Sequence, residues 1–260
     1  MSMIKGKNIQ LAYGDKIIID GIDLDIKKGE VVSVIGTNGC GKSTLLKALS
    51  RALPCKNGNI WLEGEEIHSI KNKEFAKKLA FVSQNNEIPE DITVYDFIMY
   101  GRVPHKKWYE LYNDKDREIV EWAVNICRLD KFRDRKVMSL SGGERQKVWI
   151  AMVLAQKTQV LLLDEPTTYL DICHQFEIME LVKKLNKELG ITIVMVLHDL
   201  NQAAQYSDRI IVVKEGKKYR EGKALDVLTP QLIKDVYRVE AVMEIEDNIP
   251  YFKLKGIVNN

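Results

Sequence analysis

Long apolar runs are what this chain has least of. The longest, at 31–35, 160–163 and 193–197, are only a handful of residues each, against the roughly 18–20 that a membrane-spanning helix needs. Any membrane role is therefore expected to come through a partner. Cysteine is also sparse. Cys40, Cys55, Cys127 and Cys173 are widely spaced, with no CxxC pair and no His-rich cluster, which argues against a disulfide framework or a zinc site and fits reduced thiols in a cytosol. An excess of charge is missing too: 39 Lys+Arg against 37 Asp+Glu leaves a net charge of +2, too little field for an obligate nucleic-acid partner. Residues 1–10 lack the apolar core of a secretion signal,. No internal repeat, low-complexity tract or linker interrupts the chain.

What is present suits one large domain, or one domain with a smaller lobe: 260 residues, 45% hydrophobic,. The first thirty residues read as short alternating strands, with Ile22, Leu24 and Ile26 on one face and Asp23 and Asp25 on the other,. Residues 31–35 then read as a buried strand, followed by a glycine loop and a helix over 43–52,. Strands are expected at 59–63 and 79–83. Helical signals dominate from 85 to 156, with helices at 93–100, 116–129 and 141–156 and a polar loop at 105–113,. Buried strands return at 160–164 and 191–197. The helix between them places Ile178, Leu181, Val182, Leu185 and Leu189 on one face, implying a parallel crossover,. Short strands at 209–214, 217–221, 242–246 and 251–255 and a helix at 231–237 complete the α/β pattern.

Gly36-Thr37-Asn38-Gly39-Cys40-Gly41-Lys42-Ser43, followed by Thr44, fits the phosphate-binding loop GxxxxGK[ST],. Its glycines let backbone N–H groups converge on phosphates at a helix N-terminus. Lys42 is expected to reach the β- and γ-phosphates of ATP and Ser43 to ligate Mg²⁺. The strand at 160–163 ends in Asp164-Glu165-Pro166. Asp164 is placed to hold Mg²⁺ through water, and Glu165 to orient and deprotonate the attacking water. Taken alone, such a carboxylate pair is as easily a helix cap or salt bridge. Gln84, after the strand at 79–83, is a candidate for Mg²⁺ or the attacking water. His198, after the strand at 191–197, is a candidate for the γ-phosphate. Tyr13, in a strand-turn segment, could stack on adenine, although a lone tyrosine is more often packing.

Leu140-Ser141-Gly142-Gly143-Glu144-Arg145-Gln146 is the most informative stretch. Ser141 and Glu144 fit a capping box, and Val148, Ala151, Met152 and Ala155 form the stripe behind it. Capping does not explain two consecutive glycines in a first turn, where each costs about 1 kcal/mol relative to alanine. Close approach to a phosphate does. No role for Trp149 follows from the sequence.

In order along the chain, 36–44, Gln84, 140–146, 163–166, Leu170-Asp171 and His198 resemble the ATPases of the ABC family over nearly the whole length. The resemblance implies a P-loop NTPase fold with an ABC-type core: a mixed, largely parallel sheet flanked by helices, an N-terminal antiparallel β subdomain and an inserted helical subdomain. Residues 1–84 and 157–260 would form the core and 85–156 the insert. It also implies two copies packed head to tail around two ATP molecules. Each nucleotide would be held by Lys42 and Ser43 of one copy and by Ser141, Gly142 and Gly143 of the other. Asp171 would communicate across the dimer, His198 would act as switch histidine and Tyr13 as the adenine-stacking aromatic. Thr37 stands where the family usually has proline, a position that contributes mainly backbone.

The segments 165–175, 197–203 and 101–105 resemble the importers of iron–siderophore, haem and cobalamin. That implies an ATP-hydrolysing subunit at the cytoplasmic face of the membrane, driving uptake of a metal chelate such as a ferric siderophore. Its permease partners would dock on the segment 85–112, with an external substrate-binding protein acting indirectly and no nucleic acid involved. Another transporter type, such as an exporter, or an ABC protein acting on ribosomes or DNA is the alternative.

Overall fold

The computed structural model describes residues 1–84 and 88–258. Asn85, Asn86 and Glu87, which open the expected permease-docking segment, lie outside the described residues. The chain packs as two compact units, Met1–Ser69 with Thr192–Asn260, and Ile70–Ile191.

The first unit opens on an antiparallel pair, β1 (Ser2–Tyr13) and β2 (Lys16–Lys27). Ile22, Leu24 and Ile26 are buried and Asp23 is exposed, as alternation predicts, while Asp25 is half-buried. Each strand runs twelve residues rather than the short stretch expected, because register shifts such as that between Gly6 and Ile9 break the alternation without ending the pairing,. β3 (Val31–Ile35) is buried throughout and leads through the glycine loop into α1 (Lys42–Leu49). β4 (Asn57–Leu62) and β5 (Glu65–Glu66) complete an antiparallel sheet in the order β2-β1-β4-β5.

The second unit carries α2 (Asn72–Lys78), β6 (Leu79–Val82), α3 (Val94–Met99), a 3-10 segment at Tyr100–His105, α4 (Asp114–Ile126), α5 (Gly142–Ala155), β7 (Val160–Asp164) and α6 (Ile172–Leu189). The described part of the expected helical insert, 88–156, lies in this unit together with 70–84 and 157–191, which were expected in the core. β6 and β7 pair in parallel, with Val82 opposite Leu163. α5 is buried on more than the predicted stripe: Ile150, Val153 and Leu154 are buried as well as Val148, Ala151 and Ala155, while Met152 is only half-buried. Trp149 meets Phe97 edge to face at 4.7 Å and ties α3 to α5,. On α6 the predicted face is buried except Leu189, which is 41% exposed at the last turn.

The chain then returns to the first unit with β8 (Thr192–Val196), α7 (Leu200–Tyr206), β9 (Arg209–Lys214), β10 (Lys217–Gly222), α8 (Ala224–Val227), α9 (Pro230–Tyr237) and the hairpin β11 (Val239–Glu246) and β12 (Ile249–Ile257). Its strands run in the order β10-β9-β3-β8. β3 is parallel to both neighbours, and β10 is an antiparallel edge. Strands buried on both faces are what a parallel sheet demands, hence the continuous apolar runs.

Candidate nucleotide site

Ligands of open α/β sheets bind beyond the carboxyl ends of the strands, and strand register decides which residues meet there. β3 and β8 pair with Val34 opposite Val196. Gly36 and His198 each lie two residues further on, so the glycine loop and the histidine leave the sheet at one level. Leu197 N–H donates to the Val34 carbonyl, extending the pairing toward that end, and His198 is exposed. Asp199 caps α7 by accepting from Gln202 N–H at 2.9 Å.

The loop itself is a tight cradle. Gly36 has φ 149° and Gly41 has φ 107°, conformations that side chains rarely adopt,. A Cβ on Gly36 would fall on the Val213 carbonyl and within 2.8 Å of Cys40 Sγ. One on Gly41 would lie 2.5 Å from Ile19 Cδ1. Asn38 and Gly39 are exposed, whereas Cys40 is buried and Thr37, Ser43 and Thr44 are half-buried. Lys42 is 5% exposed, and its ammonium donates to the Gly36 and Thr37 carbonyls, both at 2.9 Å. Burial pushes the Cys40 thiol up, against the nearby Lys42 charge, so this cysteine is a neutral packing group rather than a nucleophile.

Tyr237 is a loop contact that sequence reasoning missed. Burial raises its phenol far above the ordinary range, against a smaller lowering influence of the Gly36 backbone. Two hundred residues separate the two, so no local pattern could reveal it. Tyr13 lies at the turn end of the β1–β2 hairpin, paired with Lys16 and 49% exposed. The same hairpin carries Ile19 against Gly41.

In the second unit strand register again brings two side chains to one level. Val82 opposes Leu163, and Gln84 and Glu165 again lie two residues beyond. Gln84 Nε2 donates to Glu165 Oε2 at 2.7 Å, and Thr168 Oγ1 donates to the same oxygen at 3.1 Å. Glu165 has φ 53°, the left-handed region that costs a non-glycine residue of order 1–3 kcal/mol,. Asp164 precedes it at 5% exposure. The bland reading of Glu165 as an ordinary helix cap fails: α6 starts at Ile172 and is capped by Asp171.

The same unit holds the serine–glycine segment. Ser141 N–H donates to Glu144 Oε2 at 2.8 Å and Glu144 N–H to Ser141 Oγ at 3.3 Å, the reciprocal capping box expected,. The Ser141 backbone N–H holds the Glu144 carboxyl below its ordinary range. Ser141 and Gly142 are exposed and Gly143 is buried. Asp171 accepts from His174 N–H at 2.9 Å, which lowers its pKa, and lies 2.9 Å from His174 Nδ1. Among the described residues, no cluster of three or more His, Cys, Asp or Glu forms a metal centre. No helix among the described residues is long and apolar enough to cross a membrane.

A P-loop at the end of a buried parallel strand, with a carboxylamide and a carboxylate joined at the end of a second strand pair, defines a P-loop nucleotide-binding cassette. The family model described as "ABC transporter" matches residues 19–168. The chain is 45% identical over its whole length to the iron(3+)-hydroxamate import ATP-binding protein FhuC of Bacillus subtilis (strain 168), covering 97% of that protein. It is 48% identical to the petrobactin import ATP-binding protein FpuC of Bacillus anthracis, covering 98% of this chain and 94% of that one. Among solved structures, a dimeric ATP-binding cassette in a post-hydrolysis state with ADP and Pi superposes with a TM-score of 0.74 at 32% identity, over 85% of this chain and 99% of the other. The chain belongs to the ABC transporter family, as one of its ATP-binding subunits.

Proposed function

We propose that this chain hydrolyses ATP to drive import of a metal chelate, most consistently a ferric siderophore, through a permease at the cytoplasmic face of a membrane. The observation that carries hydrolysis is the Glu165 carboxylate, fixed by Gln84 and Thr168 just past the end of β7. A base must be oriented before it can activate water, and Gln84 and Thr168 orient Glu165 through its Oε2. The cargo assignment rests on the names of the relatives from the two Bacillus species, which are import ATP-binding proteins for iron chelates.

In this reading Lys42 exchanges the Gly36 and Thr37 carbonyls for the β- and γ-phosphates of ATP, and the amides of 36–44 line the cradle. Tyr13 stacks on adenine. Ser43, Gln84 and Asp164 offer a hydroxyl, a carboxamide and a carboxylate, hard oxygen donors suited to Mg²⁺. When bound, that ion would neutralise charge on the phosphates. Glu165 takes a proton from the attacking water, and His198 contacts the γ-phosphate. A second copy supplies Ser141, Gly142, Gly143 and Asp171. Ser141 can serve both roles, because its capping bond uses a lone pair of Oγ and its hydroxyl proton, which also supports the Glu144 carboxylate, can turn to a phosphate oxygen,.

The permease would dock on the helical region of residues 85–156, and an external binding protein would deliver the chelate to it. An exposed apolar surface there supports this: Tyr100, Val103, Trp108, Tyr109 and Leu111 are all at least half exposed,.

Glu165→Gln tests the base. Its hydrolysis should fall by roughly 10²–10⁴-fold, while ATP binding persists and an ATP-bound dimer accumulates on size exclusion. Wild-type turnover in this variant would remove Glu165 from the mechanism. Cargo is tested by reconstituting the chain with its permease and asking which ferric chelates stimulate hydrolysis.

A further inference from the structure

Gly142 and Gly143 stand side by side at the start of α5 but are glycine for different reasons. Gly142 is exposed, and a Cβ there would make one ordinary contact, with Leu170 Cδ2 at 3.5 Å. Gly143 is buried, and a Cβ would lie 2.5 Å from His174 Cγ and 2.8 Å from His174 Cβ. Those atoms are the root of the side chain, so turning the ring does not clear them. Gly143 is not among the residues with positive φ, so backbone conformation makes no demand for glycine there. Phosphate approach for both glycines is thus incomplete as an explanation: the second is small because the His174 side chain packs against it.

The same imidazole is tied on its other side. His174 Nδ1 lies 2.9 Å from Asp171 Oδ2, and His174 N–H donates to Asp171 Oδ1 at 2.9 Å. One turn further along both helices, Lys147 Nζ donates to Glu177 Oε2 at 2.6 Å. The ring therefore sits between the first turn of α5 and the cap of α6, the two termini that carry the residues offered to a second copy.

We propose that His174 is a positioning residue that locks the Ser141–Gly143 turn and Asp171 into one rigid surface for the partner copy's nucleotide. This rests on the reading that those residues act in trans. Helix ends held by separate caps can shift independently, and a misplacement of about 1 Å at a reacting centre costs on the order of 100-fold in rate. A ring wedged between the two ends removes that freedom.

A double-mutant cycle of His174→Ala and Gly143→Ala in the full chain tests it, reading ATPase kcat and KM, nucleotide binding, and melting without nucleotide. His174→Ala should lower kcat roughly tenfold or more, while fluorescent-nucleotide affinity of the isolated chain stays unchanged. His174→Asn, which keeps a donor near the Nδ1 position, should recover part of the loss. Gly143→Ala should damage activity and melting in the wild-type background and do much less damage once His174 is alanine. Equal damage in both backgrounds would overturn the proposal, since the glycine would then serve the phosphate rather than the ring. So would loss of nucleotide binding in His174→Ala, which would mean general unfolding. Normal hydrolysis by Ser141→Arg would instead refute the trans reading itself, and with it any positioning role, whereas coupling in the nucleotide-free melts would still report the ring packed on Gly143.

Discussion

Gly36 sits where the chain turns from β3 into the phosphate loop, with φ 149° and the Val213 carbonyl where a Cβ would go. Gly39, three residues on, has φ 77° but no atom within 4 Å of a Cβ. The two separate steric crowding from backbone preference. Gly39→Ala should cost only the conformational term, about 1–2 kcal/mol, with modest weakening of ATP. Gly36→Ala adds displacement of β9 and of the Cys40 thiol, so it should lower stability by more and abolish ATP binding. Urea unfolding and fluorescent-nucleotide titration of both variants check the order. A Gly39 variant as damaged as the Gly36 one would mean that open amides, rather than the packed cradle, set the loop's tolerance.

Among the elements, the Tyr100–His105 segment is anchored by a buried charge network. Arg102 donates through Nε to Asp116 Oδ1 at 3.0 Å and through Nη1 to the Ala155 carbonyl at 2.7 Å. Lys106 pairs with the other Asp116 oxygen at 2.6 Å, and His105 reaches the Gln156 carbonyl at 2.8 Å. Burial pushes the Asp116 carboxyl up, but Lys106, the Asn113 backbone and Arg102 together outweigh it and bring its pKa from 3.8 to about 2. A depressed carboxylate contributes stability that is complete above its unfolded value and is lost as pH falls through the folded one. Between about pH 4 and pH 2 this group should therefore give up roughly 2 kcal/mol. Asp116→Asn should lose on the order of 3–5 kcal/mol at neutral pH, because two cations stay buried beside a neutral amide. Its stability should also fall less steeply below pH 4 in urea melts. Parallel pH curves for variant and wild type would exclude Asp116 as the source.

The elements legible in the sequence were those with one dominant signal. β3, β7 and β9 coincide with the predicted runs at every residue, because strands buried on both faces are uninterrupted apolar stretches closed by turns. α2 was missed because it buries one residue, Phe75, and is otherwise lysine-rich and polar. α7, seven residues long, has too few turns for a period to show. Leu189 kept the helical period past the point where α6 has anything to pack against. At the candidate site the residue types were legible and the juxtapositions were not. Gln84 and Glu165 are 81 positions apart, and only the register of β6 on β7 brings them together. His174 belongs to the segment 165–175 that resembles the importers, and its packing on Gly143 comes from the way α5 meets α6.

For the whole molecule, the proposed division of labour between copies has a consequence that no single-chain variant can supply. A head-to-tail pair makes two equivalent sites, each using Lys42 of one copy and Ser141 of the other, in the closed two-fold arrangement usual for homodimers. A Lys42→Ala homodimer has two sites with a defective loop. A Ser141→Arg homodimer has two with a defective lid, since the added side chain and charge occupy the exposed first turn of α5. Mixing the two variants gathers both lesions into one site of each heterodimer and leaves the other intact. With random pairing, half the dimers are mixed and half their sites are whole, so the mixture should regain roughly a quarter of wild-type hydrolysis if sites act independently. Strict coupling between the two sites would lower that figure without abolishing it, and an excess of one variant should reduce it again. Steady-state ATPase assays on a titration of one purified variant into the other would show a maximum near equal amounts. A flat line at the sum of the parents would mean that Ser141 and Lys42 do not complete each other across copies. Each chain would then hydrolyse ATP with its own residues alone, and the exposed Gly142 of α5 would need another explanation.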